Sequence, residues 1–390
     1  MSKNPRLGVW FAAAAMVFFT RALLFSTWQS RSPEVQDALN LNTAEMGLLV
    51  MVFPAGGLLG IFFANALMNR FGAGKLTIVG FSLGALSLFG LGVAVSAGNV
   101  WVSAICLLGM GLPMAIADFT GNIQGTEVDS RAKRSLFPAI HAAFGVGMML
   151  AAAFSGSLIA NNIGIEFNYL VVALIVAAGS IWAGFVFPKH ERKTVSVSEK
   201  AETSKLARKV WSEKRTLLIA LIGFSFIMAE ISAGTWLPIA LTNSGFSGAE
   251  AAAAFGWFWV AITVTRAFGG FVVDKLGRFQ SILLSAILTA AGISVFVFDS
   301  TFQAPYLGIA LWGMGLALGF PMSVNSMSDD PAKSAARINM IITVVYISSI
   351  LVGPVIGTIG QVFSIYAAFG VPLALMLISA LVSPVTKKVS

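Results

Sequence analysis

The chain is 390 residues long, 57% hydrophobic and 11% charged, with 39 Gly, 31 Phe and a mean hydropathy of +0.85. Soluble globular domains do not have this composition, and polytopic helical membrane proteins do. One cysteine, Cys106, excludes disulfides within the chain and thiolate metal clusters, and two histidines, His141 and His190, leave too little for an imidazole metal site.

A membrane-spanning helix needs about 20 mostly apolar residues. In chain order the apolar blocks predict spans at about 7–29, 44–68, 76–97, 100–125, 135–160, 166–187, 216–241, 250–272, 279–298, 304–326, 338–362 and 365–384. The opening MSKNPRLGVWFAAAAMVFF has the basic flank and apolar run of a secretory signal, but the apolar pattern continues to Trp28 without a cleavage site, so it reads as the first span. Pro113 and Pro321 are expected to kink the fourth and tenth spans. Residues 189–215, PKHERKTVSVSEKAETSKLARKVWSEKR with its preceding proline, form the only long hydrophilic stretch. They divide the chain into six-helix halves at 1–188 and 216–390, joined by a mobile, partly amphipathic linker.

Basic residues settle the orientation. Lys3, Arg6, Arg70, Lys75, Arg131, Lys133, Arg134, Lys275, Arg278, Lys333, Arg337, Lys387 and Lys388 all fall on one side of the predicted spans, as does the basic linker. The other side carries Arg31 alone. By the positive-inside rule the basic side is cytoplasmic, and both termini lie there. The formal net charge of +8 therefore reflects topology, and nucleic acid is not implied.

The chain also repeats itself. STW at 26–28 matches GTW at 234–236, and GLPM at 111–114 matches GFPM at 319–322, both at an offset of 208. NRFG at 69–72 matches DKLG at 274–277 at an offset of 205. Six spans return the chain to its starting side, so this is a parallel repeat related by an axis along the membrane normal.

The string G-F-V-V-D-K-L-G-R (270–278) resembles the hallmark cytoplasmic turn of the major facilitator superfamily, a glycine, three residues, an acid, a base, then Gly-Arg. The first copy, ALMNRFGAGK (66–75), departs from it: Asn65 replaces the leading glycine and Asn69 the acid, while Arg70, Gly72 and Lys75 remain. A charge-dependent latch at that turn would lack its acid in the first half. A second string, D-F-T-G-N-I-Q-G-T-E-V (118–128) followed by I-H-A-A-F-G-V-G (140–147), is similar to a branch of poorly characterised bacterial inner-membrane permeases near the fucose-permease-like group. These resemblances imply an all-α polytopic membrane protein with twelve transmembrane helices in two six-helix bundles. They also imply a monomer among membrane lipids, without cofactor, that takes a small-molecule substrate.

Charges inside spans cost free energy and so face a cavity or a partner. Arg21, Asp118, Glu230 and Arg266 are of this kind, with His141 as a further polar candidate. Arg21 and Glu230 lie roughly 21–22 Å from the cytoplasmic end of their spans at 1.5 Å per residue. The resemblance puts these two charges on opposite sides of the substrate path, either as an ion pair holding the halves together or as a proton or solute site. Asp118, Asn122 and Gln124, with His141, form either a polar cavity wall and proton relay or a packing network between spans four and five. Trp28 and Trp236 are expected as interface anchors or as stacking platforms for a sugar-like ring, and Asn325 and Asn339 as cavity donors. Arg70, Glu127, Arg131, Arg266, Asp274 and Arg278 are the candidates for cytoplasmic gating contacts; Arg266 either snorkels toward the turn or bonds carbonyls there.

No nucleotide-binding loop, nucleophile elbow or metal constellation is present, so enzymatic catalysis is not expected. The expected function is secondary active transport of a polar, sugar-like metabolite, driven by protons through Glu230 or Asp118. An exporter of amphipathic compounds or lipids is the alternative, and a non-transporting membrane sensor a more distant one.

Overall fold

A computed structural model describes residues 5–132, 136–188, 206, 208–298 and 305–388. His190, Lys133, Arg134 and most of the predicted linker lie outside these residues. The helices are α1 (Leu7–Ser30), α2 (Ser32–Ala38), α3 (Thr43–Phe71), α4 (Ala73–Ser96), α5 (Val100–Arg131), α6 (Phe137–Ala160) and α7 (Ile165–Val186). They continue with α8 (Lys214–Asn243), α9 (Gly248–Phe298), α10 (Pro305–Met327), α11 (Pro331–Val362), α12 (Ile365–Ala368) and α13 (Gly370–Val382), ending in a 3-10 turn at Ser383–Thr386. No described residue lies in a strand. A helix satisfies its own backbone, which hydrocarbon cannot do for it, and this accounts for the all-helical chain.

Eleven of the described helical stretches are long and apolar enough to cross a membrane. One of them, α9, runs for 51 residues and breaks at Gly277, whose φ of 75° and ψ of 170° are not helical. At 1.5 Å per residue its length is about 76 Å, far beyond one bilayer core. It therefore comprises two spans, and the spans among the described residues number twelve, as the hydropathy pattern predicts.

The break has a twin. Gly72, between α3 and α4, has φ 82° and ψ 162°, the same conformation at the same place in the first half. A Cβ built on Gly72 or Gly277 meets no atom within 4 Å. Backbone geometry alone, and not crowding, demands glycine at these two turns. The sequence repeat is thus a repeat of backbone conformation.

Elsewhere glycine lets helices touch. A Cβ on Gly74 of α4 would strike the carbonyl oxygen of Gly184 in α7, and one on Gly292 of α9 would lie 2.7 Å from the carbonyl oxygen of Gly308 in α10. Close backbone approach of this kind supplies the van der Waals packing that lipid-embedded helices rely on.

Two compact units emerge, Met1–Lys193 with Gly234–Gly256, and Thr194–Ala233 with Trp257–Ser390. In the first, α1 packs on α6 and α7, and α5 on α3 and α4. The short α2 was not anticipated from the pattern. Arg31, at its N-terminal boundary, is 1% exposed, and its Nε donates to Asn168 Oδ1 at 2.9 Å and its Nη2 to the Ile163 carbonyl at 2.8 Å. Glu34 of α2 pairs with its Nη1 at 2.5 Å. Ser32 Oγ donates to the Thr235 carbonyl at 3.0 Å within the same unit.

Alanine at Gly72 or Gly277 is expected to lower stability by about 1–3 kcal/mol, the cost of a side chain in a region of φ/ψ space reserved for glycine. Thermal unfolding of the purified protein in detergent measures it. Gly8→Ala, at a helical site where nothing lies within 4 Å and φ is not positive, serves as the control and is expected to raise stability by up to about 1 kcal/mol.

Candidate functional site

Helices α1 and α5 bring Arg21 and Asp118 together. Arg21 lies 14 residues from the start of α1 and Asp118 lies 13 before the end of α5. At 1.5 Å per residue both are about 20 Å from the basic end of their helices, deep in the hydrocarbon zone. Arg21 Nη1 lies 3.2 Å from Asp118 Oδ1, with side-chain exposures of 35% and 17%. This is a single contact rather than a two-pronged clamp. Among the described residues, Nε and Nη2 of Arg21 donate to no protein atom. The guanidinium sits 5.1 Å from the ring centroid of Phe144 on α6, a cation–π arrangement. One turn before Arg21, the Phe18 ring lies 4.4 Å from that of His141, centroid to centroid. Asn122, one turn beyond Asp118, donates its Nδ2 to the Asp118 carbonyl at 2.9 Å. Arg21, Asp118, Asn122, His141 and Phe144 thus form one polar and aromatic face of the first unit, from helices α1, α5 and α6.

Gln124 has a different place. It is 1% exposed, and its Oε1 accepts from Trp10 Nε1 at 2.8 Å, joining α5 to α1 toward the basic end. Glu127 and Arg131 form an i,i+4 ion pair at 2.8 Å, and the Arg131 guanidinium lies 4.7 Å over the Trp10 ring. Arg70 is exposed and rests 5.2 Å over Phe71. Trp28 and Trp236 are 1% and 0% exposed. This corrects the interface-anchor expectation for both: an anchoring ring must reach the lipid headgroups, and these two are enclosed by protein.

The second unit contains Glu230, partly buried on α8. Arg266 Nε donates to the Ala317 carbonyl at 3.2 Å, and Asp274 is exposed. Asn325 is exposed in the last turn of α10, 3.5 Å from Arg278 Nη1, and so joins the basic-end cluster. Asn339 is exposed on α11.

Arg278 is the centre of that cluster. Its Nη1 and Nη2 hold Asp329 Oδ1 and Oδ2 at 2.7 and 2.8 Å, and its Nε donates to the Thr386 carbonyl at 2.7 Å. Arg215 binds the same carboxylate through Nη2 at 2.6 Å and donates to the carbonyls of Val385 and Lys387, both at 3.1 Å. Beside it, Glu213 accepts from Lys333 at 2.7 Å and Arg337 at 2.6 Å. A hydrophobic cluster of Val210, Ile219, Met327, Met340 and Ile341 packs there, with Val385 against it. The hydrogen bonds from Arg278, and then those from Arg215, outweigh partial burial and hold the Asp329 carboxyl down at about 2. Burial pushes Glu213 up, but the combined hydrogen bonds from Lys333, Arg337 and Thr216 overcome it and bring it to about 2. The motif reading found Arg278 but missed Asp329, Glu213 and Arg215. The only available signal was the pair of acids in SDDP (328–331), directly after a span.

The sequence profile of the Major Facilitator Superfamily matches residues 10–354. An uncharacterized MFS-type transporter of Yersinia pestis is 25% identical over 390 aligned residues, covering 95% of this chain and 94% of its own. A hexuronate transporter of Bacillus subtilis is 28% identical over 291 residues, 70% of this chain and 64% of its own. FucP, the fucose:proton symporter of E. coli, solved in an outward conformation, superimposes with a TM-score of 0.69 at 16% identity, over 97% of this chain and 99% of that one.

Both Glu213 and Asp329 titrate lower when folded than the values near 4 expected of an unfolded chain. Their stabilisation is therefore complete above about pH 4 and is lost as pH falls toward about 2. The unfolding temperature is expected to drop over that window, and Asp329→Asn to lower it at neutral pH while making the acid-induced drop smaller.

Proposed function

The chain belongs to the major facilitator superfamily, and from that premise we propose that it is a proton-coupled secondary transporter moving a polar, sugar-like metabolite across a bacterial inner membrane. It is a multi-pass membrane transporter of small solutes and not an enzyme. The observation that carries the finer reading is the Arg21–Asp118 pair, 3.2 Å apart in mid-span with over a third of the arginine side chain still accessible. That opening lets a solute reach the pair, which a pair serving only to hold α1 to α5 does not require. A binding site needs it.

The moving bodies are the six-helix halves 1–188 and 216–390, joined by 189–215, which open the solute path alternately to each side. Both termini are cytoplasmic, the working unit is a monomer, and no cofactor is required. Asp118 is the leading proton carrier, with Glu230 of α8 as a second carboxylate for the same role. The relative that transports hexuronate favours a sugar-like cargo. Export of amphipathic compounds or lipids is less well supported. The phenylalanines that would argue for it include Phe62, Phe185 and Phe271, which are 73%, 80% and 72% exposed and are accounted for by contact with lipid tails.

In proteoliposomes tested with labelled D-glucuronate, and with D-glucose as the neutral comparison, a pH gradient is expected to drive accumulation of one of the two by the wild type. Asp118→Asn is expected to abolish it while exchange of preloaded solute survives, the signature of lost coupling with intact binding. Gradient-driven uptake unchanged in both Asp118→Asn and Glu230→Gln would remove these carboxylates from the mechanism.

A further inference from the structure

We propose that the solute carries a negative charge, in the simplest case a carboxylate, and that it replaces Asp118 on Arg21 when Asp118 accepts the co-transported proton. This rests on the transport reading above and narrows its substrate class.

The argument is one of charge balance. The empty site holds one cation and one anion, Arg21 and Asp118, at 3.2 Å, and is neutral. A net charge carried within a membrane-embedded site is costly, so states that reorient across the membrane favour neutrality. Protonation of Asp118 leaves Arg21 as an uncompensated cation. A neutral solute bound with that proton would make the loaded site net positive. A singly charged anion restores zero. The loaded and empty states are then both neutral, and only the half-loaded states carry charge and are held back.

Within the first unit the other charged groups on the helices packed against α1 and α5 do not change this sum, Glu166 of α7 lying in that helix's first turn. Arg21 is the only charged residue of α1 between Leu7 and Ser30. His141 is the only titratable residue of α6, and its protonation would add a further positive charge and strengthen the preference for an anion. The charges of α3 and α4 are Glu45, Arg70 and Lys75, all in terminal turns and far from mid-span. On α5 itself, Glu127 is committed to Arg131 in the last turns, where Asp129 also lies.

Geometry supports the exchange. Asp118 occupies one N–H of a guanidinium that offers five. Nε and Nη2 remain unused, and a carboxylate that engages both donors of a guanidinium edge binds more strongly than a single 3.2 Å contact. The Phe144 ring, 5.1 Å from the guanidinium, covers one of its faces and leaves the donor edge as the polar approach. In one cycle a proton binds Asp118, the ion pair opens, and the solute carboxylate takes its place. On the far side the solute leaves, Asp118 gives up its proton, and the pair re-forms. One proton and one anion cross, with no net charge.

Two matched probe pairs test this on the purified full-length protein, D-glucuronate against D-glucose and nicotinate against nicotinamide, by calorimetry or thermal shift. The carboxylate member is expected to bind and its neutral partner not to. Affinity is expected to fall by about tenfold per pH unit above the titration point of Asp118, the slope for one linked proton. Arg21→Gln should abolish carboxylate binding and Arg21→Lys retain part of it. Asp118→Asn should keep the binding but lose its pH dependence. In proteoliposomes, uptake of the bound carboxylate should respond to a pH gradient and not to an imposed potassium diffusion potential. Equal binding of neutral probes, no binding of either carboxylate, or an unchanged pH slope in Asp118→Asn would each overturn the proposal. Potential-driven uptake of D-glucose would overturn it too, while leaving the transporter reading standing. Carboxylate binding without uptake of the bound solute would keep the anion site and overturn the transport reading alone.

Discussion

A guanidinium and a carboxylate placed some 20 Å along apolar helices are costly to leave unpaired, so each gains from meeting the other. That pairing fixes the relation between α1 and α5. It sets their rotation, because Arg21 and Asp118 have to face one another, and it sets their register, because a shift of one turn would strand both charges in hydrocarbon. Around this pair lie further polar and aromatic groups of the first unit: Asn122 on the carbonyl one turn away, the Phe144 ring over the guanidinium, and His141 against Phe18. The pair is incompletely enclosed, with 35% of the Arg21 side chain and 17% of the Asp118 side chain exposed.

The two halves share a backbone more faithfully than a set of side chains. Gly72 and Gly277 adopt nearly the same non-helical conformation, 205 residues apart, because a chain that must reverse direction within a residue or two has few conformations to choose from. No such constraint acts on the residues beside them. The second turn continues with Arg278, which holds Asp329 with both donor nitrogens and caps the C-terminal carbonyl of Thr386. The first continues with Ala73, and charge at that end of the unit is organised by Glu127, Arg131 and Trp10 instead. The hinge conformation is shared, while the charges beside each hinge are arranged differently.

At the opposite end, polarity is used differently again. Arg31, the basic residue that stands apart in the charge pattern, is enclosed and hydrogen-bonded to Asn168 and the Ile163 carbonyl, so it fastens α1 and α2 to α7. The one basic residue on that side of the predicted spans therefore has a structural use within the first unit.

Hydropathy acts locally and along the chain, so the sequence by itself was enough to mark twelve spans, the parallel repeat, both hinge glycines and the mid-span charges that had to be functional or paired. It also identified the residues of the candidate site, Arg21, Asp118, Asn122 and His141, though in separate groups. Which of them meet was decided only by the tertiary structure. Asp118 lies 97 residues from Arg21, Trp10 lies 114 from Gln124, and Arg278 lies 51 from Asp329. These partnerships depend on how each helix is rotated about its axis, which polar pairing and close packing at small residues such as Gly74 and Gly184 settle and the apolar pattern does not. An apolar helix is hydrophobic on nearly every face, so its sequence says that it spans while its neighbours decide which way its few polar groups point.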